Sequence, residues 1–343
     1  MKILVALKCR LFCALALVLV ASGFSQEKFV ASYNASDDTV VTLKSSYTNV
    51  IFETWNKNKV EVQAFIEAEN LTIEQQQVLF DAWSFEVSGS SKNVIITSSG
   101  TANSNSLSNL QTQIDNQYSF VFTYNKDGGV ETIVKTNNLS TIPIAKRTIV
   151  IKMPKTTKTD INVRYGEIKM ADAFNVKATL NHTPFTAERI DGVQTLINAS
   201  YAPVVVNHWQ YGTLYVKFVD TCEIQTLESI ALNANASDVF VGQISKEAFV
   251  TGSFGTLVVG KVADNFKRLE IVLRNSDASV AMPDTPFTFL FNGKKSSLKH
   301  PKSLQFDITK QAQRVLAKGF YKNAISSSNF LINADYSNLI LQQ

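Results

Sequence analysis

The chain has 343 residues, a formal charge of +4, 45% hydrophobic residues and only 14 Gly, 7 Pro and 3 Cys. Those counts exclude a collagen-like, Pro-rich or disulfide-dense chain, so stability must come from apolar burial. The basic excess is concentrated at the start. Lys2, Lys8 and Arg10 precede an apolar run from Leu11 to Ala21, and small Gly23 and Ser25 precede polar Gln26. This layout predicts a secretory signal peptide over 1–25, with an apolar core too short to span a bilayer comfortably. Cys9 and Cys13 sit too early for a lipoprotein anchor at the cleavage site. Removing the segment takes three positive charges and no acid, so the charge falls from +4 to +1. A nearly neutral surface argues against binding nucleic acid through a basic face. Cys222 then remains alone, so no intramolecular disulfide is available. No later stretch has the length and apolarity of a transmembrane helix. The expected location is outside the cytoplasm, in the periplasm or at the cell surface.

Residues 26–145 read as an N-terminal β-rich region with one helix. Alternation is loose in Val40–Lys44 and Asn49–Glu53 and clean in Lys59–Ile66, giving one buried and one wet face. Thr72 and Gln75 form a capping box that predicts a helix over about 72–83. Lys126–Gly129 predicts a hairpin turn between Phe120–Tyr124 and Val130–Lys135.

Residues 146–343 carry an internal repeat. The pattern is a ring or small polar residue, a small residue, any residue, then two apolar residues separated by one. Copies begin at Tyr165, His182, Tyr201, Tyr211, Ser237, Phe254 and Ser276, with outlying copies at Tyr47 and Tyr336. Units of ~18–20 residues are too small to bury their own apolar face, but stacked units share a core. The expected fold is therefore all-β, a β-solenoid or β-helix-like stack. The spacing is uneven, with a short step from Tyr201 to Tyr211 and a long one from Tyr211 to Ser237. That unevenness leaves a β-sandwich with a shared turn chemistry as the alternative. A helix over about 308–318 is predicted from Asp307 as cap, Ile308, Ala312, Val315 and Leu316 on one face, and Gly319 as stop.

The strand Ile149–Lys152 ending in Met153–Pro154, followed by Val163–Ile168 and the apolar-x-apolar units, resembles the bacterial putative-adhesin β-strand-repeat family of unknown function. The auto-transporter-adhesin head-like branch belongs to that family. Val50–Trp55 and Val60–Val62 fit the branch that opens with a short β-region and a helix. The likeness spans about 35–343. It implies an exported or membrane-associated protein with no catalytic residues to carry over.

The three histidines, His182, His208 and His300, lack the short spacings of a zinc centre. Gly252–Ser253–Phe254–Gly255 is one residue short of a hydrolase nucleophile motif. Neither cofactor nor metal is expected. Carboxylates within the repeats are Glu167, Asp172, Glu188, Asp191, Asp220, Glu223, Glu228 and Asp238, scattered and often beside Lys or Arg. Cys222 reads as a small buried hydrophobe. The one candidate binding constellation is a ladder of Tyr165, His182, Tyr201, Tyr211 and Phe254, which hold one repeat position. Exposed, they would stack on a ligand; buried, they would fill a corner of the core. The sequence therefore points to an exported, non-catalytic envelope protein with adhesin-like binding or scaffolding, its partner a glycan or envelope protein. Two other readings stay open: a polysaccharide lyase or glycosidase on the same fold, and a periplasmic partner of an envelope-stress system. The oligomeric state is not readable.

Overall fold

The computed structural model describes residues 25–68, 77, 80, 81, 83–99, 118–124, 130–136 and 144–343. The segment 1–24, and so almost all of the expected signal peptide, lies outside them. The described residues are all-β, and most of their strands fall in two long parallel ladders.

The first ladder runs from Asn93–Ser99 through Val40–Ser46 and Lys158–Arg164 to the second half of Ile168–Asn181. It continues through Leu196–Ser200 and the second halves of Val204–Lys217, Cys222–Asn235 and Val239–Ser253. Arg268–Arg274, Asn329–Asp335 and Phe287–Lys294 complete its parallel part. The second ladder takes Ile144–Pro154, Asn49–Trp55 and the first half of Ile168–Asn181, then Phe185–Asp191 and the first halves of the next three long strands. Thr256–Val259, Asp277–Ala281, Asn338–Gln342 and Ser297–Lys299 follow. Strands of residues 40–55 and 93–99 thus add directly to the stack formed by later residues. Beyond Ile144–Pro154 the pairing turns antiparallel, through Lys59–Ala68 to Ser25–Asn34. Tyr118–Tyr124 and Val130–Thr136 pair as the expected antiparallel hairpin, its turn outside the described residues.

The chain crosses from the first ladder to the second at a sharp corner. Ten non-glycine residues make that crossing with φ between 46° and 62°: Tyr47, Tyr165, His182, Tyr201, Phe218, Ala236, Phe254, Asn275, Lys295 and Tyr336. Such a conformation is costly for a residue with a Cβ, so the surroundings must over-determine it. The hydrogen bonding does so. The corner amides of Tyr165, His182, Tyr201 and Phe218 donate to the carbonyls of Asn181, Ser200, Lys217 and Asn235 on the neighbouring rung, at 2.9–3.2 Å. From Tyr165 to Asn275 the corners follow one another at nearly even sequence spacing.

The residue after most corners is small because the adjoining rung's backbone presses on it. A Cβ at Gly166 would sit 2.2 Å from the Thr48 carbonyl oxygen, and one at Gly255 2.1 Å from that of Ser237. Where the position holds serine, the hydroxyl completes the backbone bonding. Ser237 Oγ donates to the Asn235 carbonyl at 2.8 Å and accepts from the Val219 amide at 3.0 Å.

Between the ladders lies one continuous apolar core. The alternating pairs Ile168/Met170, Phe185/Ala187, Val204/Val206, Leu214/Val216 and Leu257/Val259 are all buried in it. Trp83 and Trp209 are its largest side chains, and Phe287, Phe289, Phe291 and Phe330 fill the far end. Period-two burial on both ladders follows from the strand's alternating side chains.

Neither expected helix is borne out. The span 72–83 lies largely outside the described residues. The span 308–318 is instead an antiparallel hairpin of Leu304–Gln311 and Arg314–Tyr321, closed by a two-residue loop whose Ala312 has φ 49°. The inner strand pairs with the edge of Phe287–Lys294, which offers backbone partners that a helix would leave unmet. The helical face also has no core to meet, since Ile308 and Leu316 are exposed while Ala317 and Tyr321 are buried. Gly319 is not a helix stop but a close approach, where a Cβ would meet the Gln305 carbonyl oxygen at 2.0 Å.

Candidate functional site

The corner residues form a column along one edge of the stack, and rings occupy much of it. Tyr47, Tyr165, His182, Tyr201 and Phe218 lie face to face with centroids 4.8–5.1 Å apart and planes within 19°. That spacing is the inter-strand spacing of a sheet, so the backbone ladder dictates the ring ladder. The left-handed corner turns each side chain outward, leaving Tyr201 and Phe218 more than two-fifths exposed. Arg164 lies 5.9 Å from the Tyr165 ring centre and Lys217 5.1 Å from that of Phe218, which gives the column cationic flanks.

Of the sequence-derived ladder, the structure brings together Tyr165, His182 and Tyr201. Phe254 holds the same corner two rungs beyond Phe218, with Ala236 between them. Tyr211 stands apart. It lies mid-strand in Val204–Lys217, exposed beside Gly212, and lines a shallow groove of about 380 Å³ with Glu247, Phe249 and Arg268. Phe218 is the ring the sequence reading missed. The spacing carried the clue, because the short step before Tyr211 and the long step after it together make two regular steps, with a corner near 218.

Six of the eight repeat carboxylates are engaged with cations or amides. Asp172 is 3.0 Å from Lys155, Glu167 2.8 Å from Lys169, and Asp191 2.7 Å from Arg189. Glu228 meets Lys246 at 2.6 Å and His208 at 3.8 Å. Glu188 accepts from the Asn207 amide group, and Asp238 from the Thr256 backbone amide at 2.9 Å. Asp220 is exposed and Glu223 half-buried. The Arg189 guanidinium is held above its ordinary pKa by its hydrogen bond to Asp191, with Asp172 and Glu228 adding to the effect. Among the described residues, no three or more His, Cys, Asp or Glu gather as a metal site. His300 is exposed and packs edge-on to Phe306 at 4.4 Å. Cys222 is buried in the core, and burial pushes its thiol up to about 12. No helix among the described residues is long and apolar enough to cross a membrane.

No family model matches the chain, and no curated protein matches it. Three solved structures align over nearly the whole of both chains. A putative adhesin from Bacteroides fragilis is 7% identical, covering 92% of this chain and 97% of that one, with a TM-score of 0.34. A putative adhesin from Parabacteroides distasonis is 10% identical over 93% and 98%, with a TM-score of 0.36. A putative lipid binding protein from the same species is 12% identical over 94% and 98%, with a TM-score of 0.35. At such identities and scores, the likeness says nothing of what this chain binds or does.

Proposed function

We propose that the chain is an exported, non-catalytic envelope protein whose stacked rungs form a β-solenoid and whose ring-lined corner binds a partner, in an adhesin-like or scaffolding role. The observation that carries this reading is the column Tyr47–Tyr165–His182–Tyr201–Phe218, continued by exposed Phe254 and Tyr336. Large rings held outward by a costly backbone conformation serve folding poorly and serve contact well. The division is a signal peptide to residue 25, an N-terminal β-rich region to about 145 whose strands at 40–55 and 93–99 already join the stack, and the main run of solenoid rungs from 146.

The test is adhesion of purified residues 26–343 to bacterial and epithelial cell surfaces. Saturable binding is expected, reduced in the double variant Tyr201→Ala/Phe218→Ala at an unchanged melting temperature. Unchanged binding in that variant would remove the corner from the reading. Turnover of polysaccharides, lost in Glu188→Gln or Asp191→Asn, would instead favour the carbohydrate-active alternative. For export, mass spectrometry of the native protein should find an N-terminus within a few residues of Gln26, and an intact Met1 in the envelope fraction would refute it.

A further inference from the structure

The faces of the stacked rings are mostly occupied by one another. Tyr165, His182 and Tyr201 each have a ring on both sides at 4.8–5.1 Å, so a ligand reaches only their edges. The column is interrupted once where both neighbours are phenylalanines. Phe218 donates its corner amide to Asn235, Ala236 to Ser253 and Phe254 to Arg274, so these three corners occupy consecutive rungs. Ala236 has no ring to contribute. Phe218 and Phe254 are therefore two rungs apart, about 9.6 Å at the usual strand spacing. Phe254 is the most exposed ring of the column at 64%, against 42% for Phe218, whose other face rests on Tyr201.

We propose that this gap is a binding slot for one pyranose ring of a glycan, with Phe218 and Phe254 as walls and Ala236 as floor. This rests on the binding reading above and names its ligand class. The gap leaves about 4.8 Å on each side of an inserted ring, room for a puckered sugar that presents C–H groups to both walls. Polar side chains frame the opening on both rims. Exposed Asn235 and half-buried Ser253 lie on the first-ladder side, exposed Asp220 and Asp238 on the other. Donors and acceptors around a pair of apolar walls match a ring with apolar faces and hydroxyls at its edge. An aromatic side chain would match the walls and leave the rims unpaired. The exposed ammonium of Lys217, now over the Phe218 ring, moves to the rim when the slot fills. The same omission recurs at Asn275, between Phe254 and Tyr336, so an oligosaccharide can engage both gaps.

The slot can be filled from within. Phe218 and Phe254 already sit at corners of φ 55° and 56°, close to the 46° of Ala236, so Ala236→Phe continues the column without refolding the turn. Residues 26–343 are titrated calorimetrically with α- and β-linked tetrasaccharides of glucose, galactose, mannose and N-acetylglucosamine. Saturation-transfer NMR reads which sugar protons meet the rings. Expected is saturable binding of at least one, weakened about tenfold or more in Ala236→Phe and in Phe254→Ala. Tyr215→Ala, at an exposed ring outside the column, should keep the wild-type affinity, and Ala236→Phe should melt no lower than the parent. Wild-type affinity in Ala236→Phe, or no binding of any tetrasaccharide by the parent, overturns the slot. If cell-surface adhesion persists while every tetrasaccharide fails, the slot falls and the broader binding role stands; if both fail, both fall.

Discussion

A methyl group at Gly166 would press into the Thr48 carbonyl oxygen of the adjoining rung, whereas one at Gly252 would meet nothing nearer than the Leu273 side chain at 3.4 Å. Gly166→Ala should therefore cost about 2 kcal/mol or more, as overpacking does. Gly252→Ala should be near neutral or slightly stabilising, since it restricts the unfolded chain. Urea unfolding of both variants checks the contrast; equal losses would mean the corner contact is not what sets the residue. Cys222 supports a second expectation. Its folded pKa is raised from 9.0 to about 12 by burial, with Glu223 adding to the rise. The unfolded thiol thus ionises first, and the stability due to the neutral thiol is complete below pH 9 and lost as pH rises toward 12. Cys222→Ala should flatten the stability profile across that window, and a thiol reagent should leave the native protein unmodified at neutral pH. The ring column was partly legible at this scale. Tyr165, His182, Tyr201 and Phe254 stand before Gly, Thr, Ala and Gly, and the small partner marked them. Phe218 stands before Val219, so its corner carried no such mark, while Tyr211–Gly212 imitated one. Gly212 has φ 145° and lies within a Cβ's reach of the Thr195 carbonyl oxygen, which is a different reason for the same dipeptide.

At the scale of strands, alternation was a dependable guide because each strand has one face in the shared core. Leu214 lies in the first ladder and Leu257 in the second, both buried. Leu214→Asp or Leu257→Asp should each cost about 3–5 kcal/mol, because an unpaired charge would enter a water-free interior. Chemical denaturation measures this, and parent-like midpoints would place those side chains outside the core. The hairpin of Leu304–Gln311 and Arg314–Tyr321 escaped the same guide. Its outer strand is mostly exposed, so apolar residues at helical spacing were not signalling a helical face. What decides its structure is the neighbouring edge of Phe287–Lys294, a partner set by residues outside the local window.

At the scale of the molecule, both ends of the first ladder change from parallel to antiparallel pairing. Ser84–Gly89 covers Asn93–Ser99 at one end, and the hairpin of residues 304–321 covers Phe287–Lys294 at the other. The outermost strand carries Gln305, Asp307, Lys310 and Gln311, the kind of polar edge that discourages further strand addition. Replacing residues 303–324 by a short linker should bare an apolar-backed edge and yield concentration-dependent oligomers on size exclusion with light scattering. A variant that stays monomeric would show that the hairpin is not the cap.

The rungs are not stacked in the order in which they are synthesised. Asn329–Asp335 lies between Arg268–Arg274 and Phe287–Lys294, and Asn338–Gln342 between Asp277–Ala281 and Ser297–Lys299. The rung of residues 287–299 consequently emerges from the ribosome before the rung that joins it to the rest. Until residues 329–342 arrive, its strands have no neighbour on that side, and the stack cannot close in step with synthesis. The sheet is thus completed by insertion rather than by growth at its end, and a nascent chain halted before residue 329 would hold an open seam with four unpaired strand edges, two on each side.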